Sequence, residues 1–223
     1  MYNFSKRLLD IIGSLILLTI FLPLFLMIIV ALLLTGDHEV FYLQERIGKN
    51  NTPFKIIKFA TMVKNSSNMG TGSITLRNDP RVTKVGKYLR LSKLNELPQI
   101  LNVLIGNMSF VGPRPLMRVS FENYSNEIKT RIYNKKPGIT GIGSLFFRDE
   151  ERLVSEAVIP PEKFYKKYIY PYKGLIEIWY HDNASFYLDI KIIYLTIYHV
   201  IFIEKLDFSK FFPNLPQPPN ELL

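Results

Sequence analysis

The chain has 223 residues, 48% of them hydrophobic and 13% aromatic, enough for one domain with a real core or one domain with an anchor. Lys and Arg outnumber Asp and Glu by 28 to 19, and the resulting charge of +9 points to anionic partners such as phosphates or acidic lipid head groups. The absence of cysteine excludes disulfides, thiolate metal sites and cysteine nucleophiles.

No charge interrupts the stretch between Asp10 and Asp37, IIGSLILLTIFLPLFLMIIVALLLTG. It exceeds the roughly 20 apolar residues that a membrane crossing needs. A secretory signal would end on small residues, whereas this stretch closes on Leu32, Leu33 and Leu34. Lys6 and Arg7 precede it, and Arg46, Lys49, Lys55 and Lys58 follow it, so both flanks are basic. That favours two cytoplasmic ends. Pro23, near the middle, removes a backbone hydrogen bond and would kink a helix. A plain span and a re-entrant hairpin bent at Pro23 both fit these facts.

Residues 39–63 read as two extended segments around Gly-Lys-Asn-Asn, and 64–80, rich in Ser, Asn and Gly, as a mobile loop. Val82, Val85, Tyr88 and Leu89 recur at helical spacing. In LNELPQILNVLIGNMSFVGPRP, residues 94–115, Asn95 suits a helix N-cap, Glu96 its positive end, Pro98 its first turn and Gly106 its stop. Leu94, Leu97, Leu101 and Leu104 would form the apolar stripe. A second helix is expected over 117–133, a glycine-rich turn at KKPGITGIGS, and a basic amphipathic turn or helix over 161–170. Residues 175–205 are aromatic and aliphatic but carry His181, Asp182, Asp189 and Lys191. They suit either an interfacial segment or a buried core helix. The last residues, PNLPQPPNELL, read as disordered.

No P-loop, G-x-G-x-x-G or H-E-x-x-H pattern occurs, and His38, His181 and His199 lie far apart. What remains is a set of acids and cations near turns. Glu96 at a helix start could hold a hard divalent cation together with substrate phosphates. Arg114, held rigid between Pro113 and Pro115, could bind phosphate oxygens. Each also has a plain reading: Glu96 as a dipole-stabilising surface acid, Arg81 as a salt-bridged turn residue, Lys58 as a solvated strand lysine.

Taken together, KRLLD, RIGKNNTPFKIIKF, NDPRVTKVGKYLR, LNELPQILNVLIGNMSFVGPRP and KPGITG, in this order over residues 1–145, resemble the bacterial sugar transferases. These are the monotopic phosphoglycosyl transferases that begin capsule, exopolysaccharide, O-antigen and related glycan assembly. The resemblance implies an α-rich α/β fold with little sheet. It implies a re-entrant membrane hairpin over 1–36 kinked at Pro23, a cytoplasmic membrane-surface domain with interfacial amphipathic helices over 37–205, and a Pro-rich tail over 206–223. It further implies the bacterial inner membrane, with the domain facing the cytoplasm. A sugar-1-phosphate would pass from a nucleotide diphosphate sugar, by family habit a UDP-sugar, to a polyprenol phosphate, with Mg2+ as cofactor. By position, Glu96 matches the acid that binds magnesium. Lys58, Asp79, Arg81 and Arg114 match residues around the phosphates, and Lys6, Arg7 and Asp10 the hairpin entrance near lipid head groups. A homodimer is one assembly open to it, and nucleic acid is not an expected partner, since no basic stripe interleaved with aromatics matches a nucleic-acid module.

Three positions depart from the family pattern: Asn95 stands where the family has its nucleophilic aspartate, Ala60 where an arginine follows Lys58-Phe59, and Asn107 where an aspartate follows Gly106. An amide is a far poorer nucleophile than a carboxylate. Direct attack by the lipid phosphate, replacement by another carboxylate such as Asp79 or Asp149, and loss of catalysis with retention as a membrane-bound scaffold all fit the substitution.

Overall fold

The computed structural model describes residues 2–66, 69, 79–202 and 208–222. Residues 67, 68 and 70–78, most of the loop expected to be mobile, lie outside them. The chain divides into two compact units made of interleaved stretches. An anchor unit takes Asp10–Glu45 and Lys55–Ile105, and a larger unit takes Met1–Leu9, Arg46–Phe54 and Gly106–Leu223. The fold is helix-rich α/β, as expected, with a long apolar helix at its start.

Helix α1 (Tyr2–Leu33) is 32 residues long and continues through Pro23, and it is long and apolar enough to cross a membrane. Ile12, Leu15, Ile16, Ile20 and Met27 are exposed along it. Its last turns are not bare. Leu24, Phe25, Ile28, Ile29 and Leu32 recur at helical spacing and pack on Val40, Phe59, Val85, Leu89, Leu94 and Leu97 of the same unit. The Phe25 and Phe59 rings lie 4.9 Å apart. Full burial of such side chains contributes about 1.5–3 kcal/mol each.

Strands β1 (Phe41–Ile47) and β2 (Pro53–Phe59) form the expected hairpin. Its turn is a 3-10 segment over Lys49–Asn51, where Asn50 and Asn51 take positive φ values of 55° and 59°. Asparagine tolerates this backbone region better than most residues. Helix α2 (Lys84–Leu91) is capped by Thr83, whose hydroxyl accepts from the Gly86 amide at 2.9 Å. Helix α3 (Gln99–Ile105) begins four residues later than the expected cap at Asn95. Lys93 turns left-handed, so Leu94–Glu96 closes a separate 3-10 turn, and Pro98 has no N–H to continue it. The later start also moves the inward face: Ile100 and Val103 are buried, whereas Leu101 and Leu104 are half-exposed.

In the larger unit β3 (Ser109–Val111) pairs in parallel with β4 (Gly138–Thr140), Ser109 opposite Gly138 and Val111 opposite Thr140. The expected glycine-rich turn thus includes a strand. The single helix expected over 117–133 is two, α4 (Arg118–Phe121) and α5 (Asn126–Ile132), because Ser125 caps the second by accepting from the Ile128 amide. Short helices α6 (Ile142–Phe146), α7 (Glu150–Ser155) and α8 (Pro161–Phe164) lead through a π-helical segment, Tyr165–Ile169, into α9 (Tyr170–Asn183). Helix α10 (Phe186–Phe202) follows, with Leu188, Asp189, Ile192 and Leu195 inward and Tyr187, Tyr194, Ile197 and Ile201 exposed. One face of this segment joins the core, as in the core-helix reading, and the other is exposed. The tail is not free of structure. It forms α11 (Phe208–Phe211) and sends Phe212, Leu215 and Leu222 into the main core, so its apolar residues outweigh its prolines.

Candidate functional site

The anchor unit builds one acid–base pair from its own elements. Lys58 near the end of β2 reaches Glu96 on the 3-10 turn, Nζ to Oε1 at 2.8 Å, with side-chain exposures of 16% and 32%. A helper on α3 sets the strand. The Asn102 side chain accepts from the Ile57 amide and donates to the Lys55 carbonyl, both at 2.9 Å, and is buried. That two-point grip fixes the strand one residue before Lys58. The turn is held from its apolar side by Leu94 and Leu97, which pack against the cluster of Ile28, Leu32, Phe59 and Leu89. The turn that carries Glu96 thus shares a hydrophobic cluster with the end of the apolar helix.

Asn95 Oδ1 is buried and has no hydrogen-bond partner among the described residues. A buried carbonyl oxygen left so costs roughly 1–3 kcal/mol, which a ligand with a donor or a positive charge would recover. With Glu96 next in sequence, the 3-10 turn carries two hard oxygen groups. This fits Mg2+, which takes one or two carboxylates and completes its shell with phosphates and water. Among the described residues no cluster of three His, Asp or Glu side chains forms a ready-made cage.

Asp79 and Arg81 are brought together but turned inward. Arg81 donates through Nε and Nη2 to Asp79 Oδ1 and Oδ2 at 2.9 and 2.7 Å, and the Asp79 hydrogen bond raises its pKa above the ordinary value. Its Nη1 donates to the Ser66 and Met69 carbonyls, both at 2.7 Å. Both side chains are buried. In this geometry the pair ties two chain segments together.

In the larger unit Arg114 presents an exposed side chain from a backbone held at three points. The Gly138 amide donates to the Pro113 carbonyl at 2.9 Å, the Tyr133 hydroxyl to the Arg114 carbonyl at 2.9 Å, and Arg46 Nη1 to the Pro115 carbonyl at 3.4 Å. Lys6 is turned inward, donating to Asp189 at 2.6 Å and to the Val111 carbonyl at 2.8 Å. Tyr2 and Tyr180 hydroxyls donate to the same buried carboxylate at 3.0 and 2.6 Å. Arg7 instead lies beside Gly106 and Lys136. Asp10, which opens the anchor unit, is buried.

Sequence reading passed over Asn102, Lys136 and Glu177, and noted Asp189 only as a charge within an aromatic and aliphatic segment. Glu177, on α9, takes the Gly143 amide, and burial pushes its carboxyl up to about 7 despite nearby Lys173. It lines a small cavity with Arg114, Tyr124, Tyr133 and Lys173. A lone polar residue inside an apolar helix was its only sequence signal, and Asn102 carried the same one.

The bacterial sugar transferase family description matches residues 1–203. A protein of Aeromonas hydrophila named UDP-N-acetylgalactosamine-undecaprenyl-phosphate N-acetylgalactosaminephosphotransferase is 34% identical, over 88% of this chain and 43% of its own. The Klebsiella pneumoniae UDP-glucose:undecaprenyl-phosphate glucose-1-phosphate transferase is 38% identical, over 86% and 39%. The uncharacterized sugar transferase EpsL of Bacillus subtilis is 35% identical, over 89% and 88%. The chain thus spans about two fifths of the first two relatives and most of EpsL. From the motif order of its first 145 residues and a match reaching residue 203, the chain belongs to the bacterial sugar transferase family.

Proposed function

We propose that this protein transfers a sugar-1-phosphate from a nucleotide diphosphate sugar, by default a UDP-sugar, to a polyprenol phosphate at the cytoplasmic face of the bacterial inner membrane. The observation that carries the reading is the hydrophobic cluster that the last turns of the apolar helix share with Leu94 and Leu97, either side of Asn95 and Glu96. A lipid-borne acceptor needs its reacting group beside the membrane, and this packing supports such a placement. Basic residues on both flanks of α1 support a re-entrant course through one leaflet, with the bend at Pro23. The exposed apolar face of α10 supports an interfacial position.

In this reading Glu96, with the Asn95 amide oxygen, would hold Mg2+, which when bound supplies positive charge to the phosphates. Lys58 orients Glu96 and adds a cation of its own. Arg114, in the larger unit, presents a guanidinium from a rigid backbone, of the kind that binds phosphate oxygens. With an amide at position 95 no carboxylate there can attack. An oxygen of the lipid phosphate therefore attacks the β-phosphorus directly. The bond from that phosphorus to the bridging oxygen breaks, and the nucleoside monophosphate leaves with that oxygen. The products are a lipid diphosphosugar and the monophosphate. That the sequence keeps Lys58, Asp79, Arg81, Glu96 and Arg114 favours this enzyme over a scaffold that has lost its chemistry.

The test is monophosphate release by full-length protein in lipid nanodiscs, with a panel of UDP-sugars, undecaprenyl phosphate and Mg2+, each omitted in turn. Release that needs lipid and metal together is the expected result. Release of one equivalent without lipid would show a covalent intermediate and sink direct attack. No release with any donor, and no binding of donor or lipid, would overturn the transferase reading.

A further inference from the structure

We propose that Glu177 is a positioning residue for Arg114, holding the Arg114 amide through one water molecule bound in the cavity that both residues line. The proposal rests on the transferase reading for what Arg114 binds and on geometry for the hold.

Pro113 and Pro115 fix their own φ angles, and Pro115 also restricts Arg114 to extended backbone. The direction in which the Arg114 side chain leaves the segment then depends on how its own two polar backbone groups are held. The carbonyl is taken by the Tyr133 hydroxyl at 2.9 Å, and that hydroxyl accepts in turn from the Leu116 amide. The Arg114 N–H has no hydrogen-bond partner among the described residues. The same segment lines a cavity of about 10 Å³, close to the smallest space that admits one water molecule. Pro113, Arg114 and Leu116 line it together with Tyr133, Lys173 and Glu177.

Glu177 brings the matching group. It is 5% exposed, and its Oε1 takes the Gly143 amide. A β-carbon at residue 143 would lie 2.3 Å from that oxygen, so the glycine leaves room for the acid. Oε2 is buried and has no hydrogen-bond partner among the described residues. An ion pair does not hold the acid either, because Lys173, one turn earlier on α9, gives its ammonium to Glu150 at 2.7 Å. An apolar side chain would fill this place without the penalty that burial puts on the carboxyl. A buried acid kept against that penalty, under a segment that presents a guanidinium, points to a role in the site.

One water pairs both groups, accepting from the Arg114 N–H and donating to Oε2. The Pro113 and Leu116 carbonyls accept one bond each, from the Gly138 and Ile47 amides, and keep a second lone pair for its other hydrogen. Three such bonds are usual for a buried water. A metal cation is a poor alternative, since Arg114 and Lys173 share the lining and would repel it.

The experiment uses full-length protein in nanodiscs with Mg2+. It reads hydrogen exchange at the Arg114 amide and the binding of UDP as a diphosphate probe. In the native chain the Arg114 amide should exchange about 100-fold more slowly than an unstructured amide. Glu177→Met should remove most of that protection and weaken UDP binding about tenfold, the loss typical of one contact. Glu177→Gln, which keeps polar atoms at both oxygen positions, should retain most of both. In an Arg114→Gln background Glu177→Met should weaken UDP no further, because Glu177 acts only through Arg114. An equal further weakening there would show general damage to the fold and overturn the proposal. A freely exchanging Arg114 amide in the native chain overturns it as well. That arm uses the native sequence, so a variant that fails to fold does not decide the question. It also needs no turnover: slow exchange without UDP binding or monophosphate release sinks the transferase reading alone, and release with a freely exchanging amide sinks this proposal alone.

Discussion

The Asn102 side chain grips β2 by accepting the Ile57 amide hydrogen and donating to the carbonyl two residues earlier, so one buried amide does the work of a neighbouring strand. Asn102→Leu keeps the volume and leaves two backbone groups unpaired. At about 1–3 kcal/mol for each, the loss should be about 2–6 kcal/mol, read as a lower urea midpoint. Because the grip ends beside Lys58, turnover should fall as well. An unchanged midpoint would show that the edge of β2 is set by other contacts.

Glu96→Gln keeps the shape of the side chain and removes its charge. It should lower turnover about 100-fold and raise the Mg2+ concentration needed for half activity, since a metal ligand is worth several kcal/mol in the transition state. Lys58→Met should lower turnover less, because the acid survives while its orientation relaxes. Full activity of Glu96→Gln would remove Glu96 from the site.

Asn95→Asp places a carboxylate beside Glu96 on the same turn. Intact mass after incubation with donor alone should then show a phosphosugar adduct that the native chain does not form. The like charge of Glu96 should also make the new acid harder to ionise, and Mg2+ should reverse that. An adduct on the native protein would mean that another carboxylate attacks.

Glu177 gives a pH signature of stability. Its carboxyl, ordinarily near 4.5, titrates at about 7 in the folded chain because burial disfavours its charge. The folded state therefore binds more protons than the unfolded state between these values. Stability is fully present below about 4.5, falls as pH rises, and levels off above about 7, by up to roughly 3 kcal/mol. Glu177→Gln should flatten the dependence of melting temperature on pH across that window. A native profile that is already flat would show that the carboxyl titrates normally.

Lys6 and Asp189 meet at 2.6 Å, with Asp189 fully buried and Lys6 14% exposed. Removing only Lys6, as in Lys6→Met, strands the carboxylate with its two tyrosine donors and should cost about 3–5 kcal/mol. The double variant Lys6→Met, Asp189→Leu should recover part of that loss, since no buried charge is left. Thermal melts of the two variants side by side would show it. A double variant no more stable than the single one would mean that Tyr2 and Tyr180 need the acid.

The apolar run, its basic flanks, the β-hairpin and the order of the motifs were all legible in the amino-acid sequence, because each depends on neighbours along the chain. So was the substitution at position 95, which alone decides that no carboxylate can attack from there. The start of α3 was misplaced, since a left-handed Lys93 and Pro98 split one expected helix into a turn and a shorter helix. The tail was read as disordered from its prolines, yet Phe212, Leu215 and Leu222 enter the main core. Partner choice lay beyond the sequence. Lys6, Arg7 and Asp10 are three cationic or acidic residues of one short stretch, and only packing turns Lys6 to Asp189, leaves Arg7 over Gly106 and buries Asp10. The physical reason is range: hydropathy and propensity act between neighbours, whereas Asn102 finds β2 and Lys6 finds Asp189 across many residues of chain that only the folded core brings together.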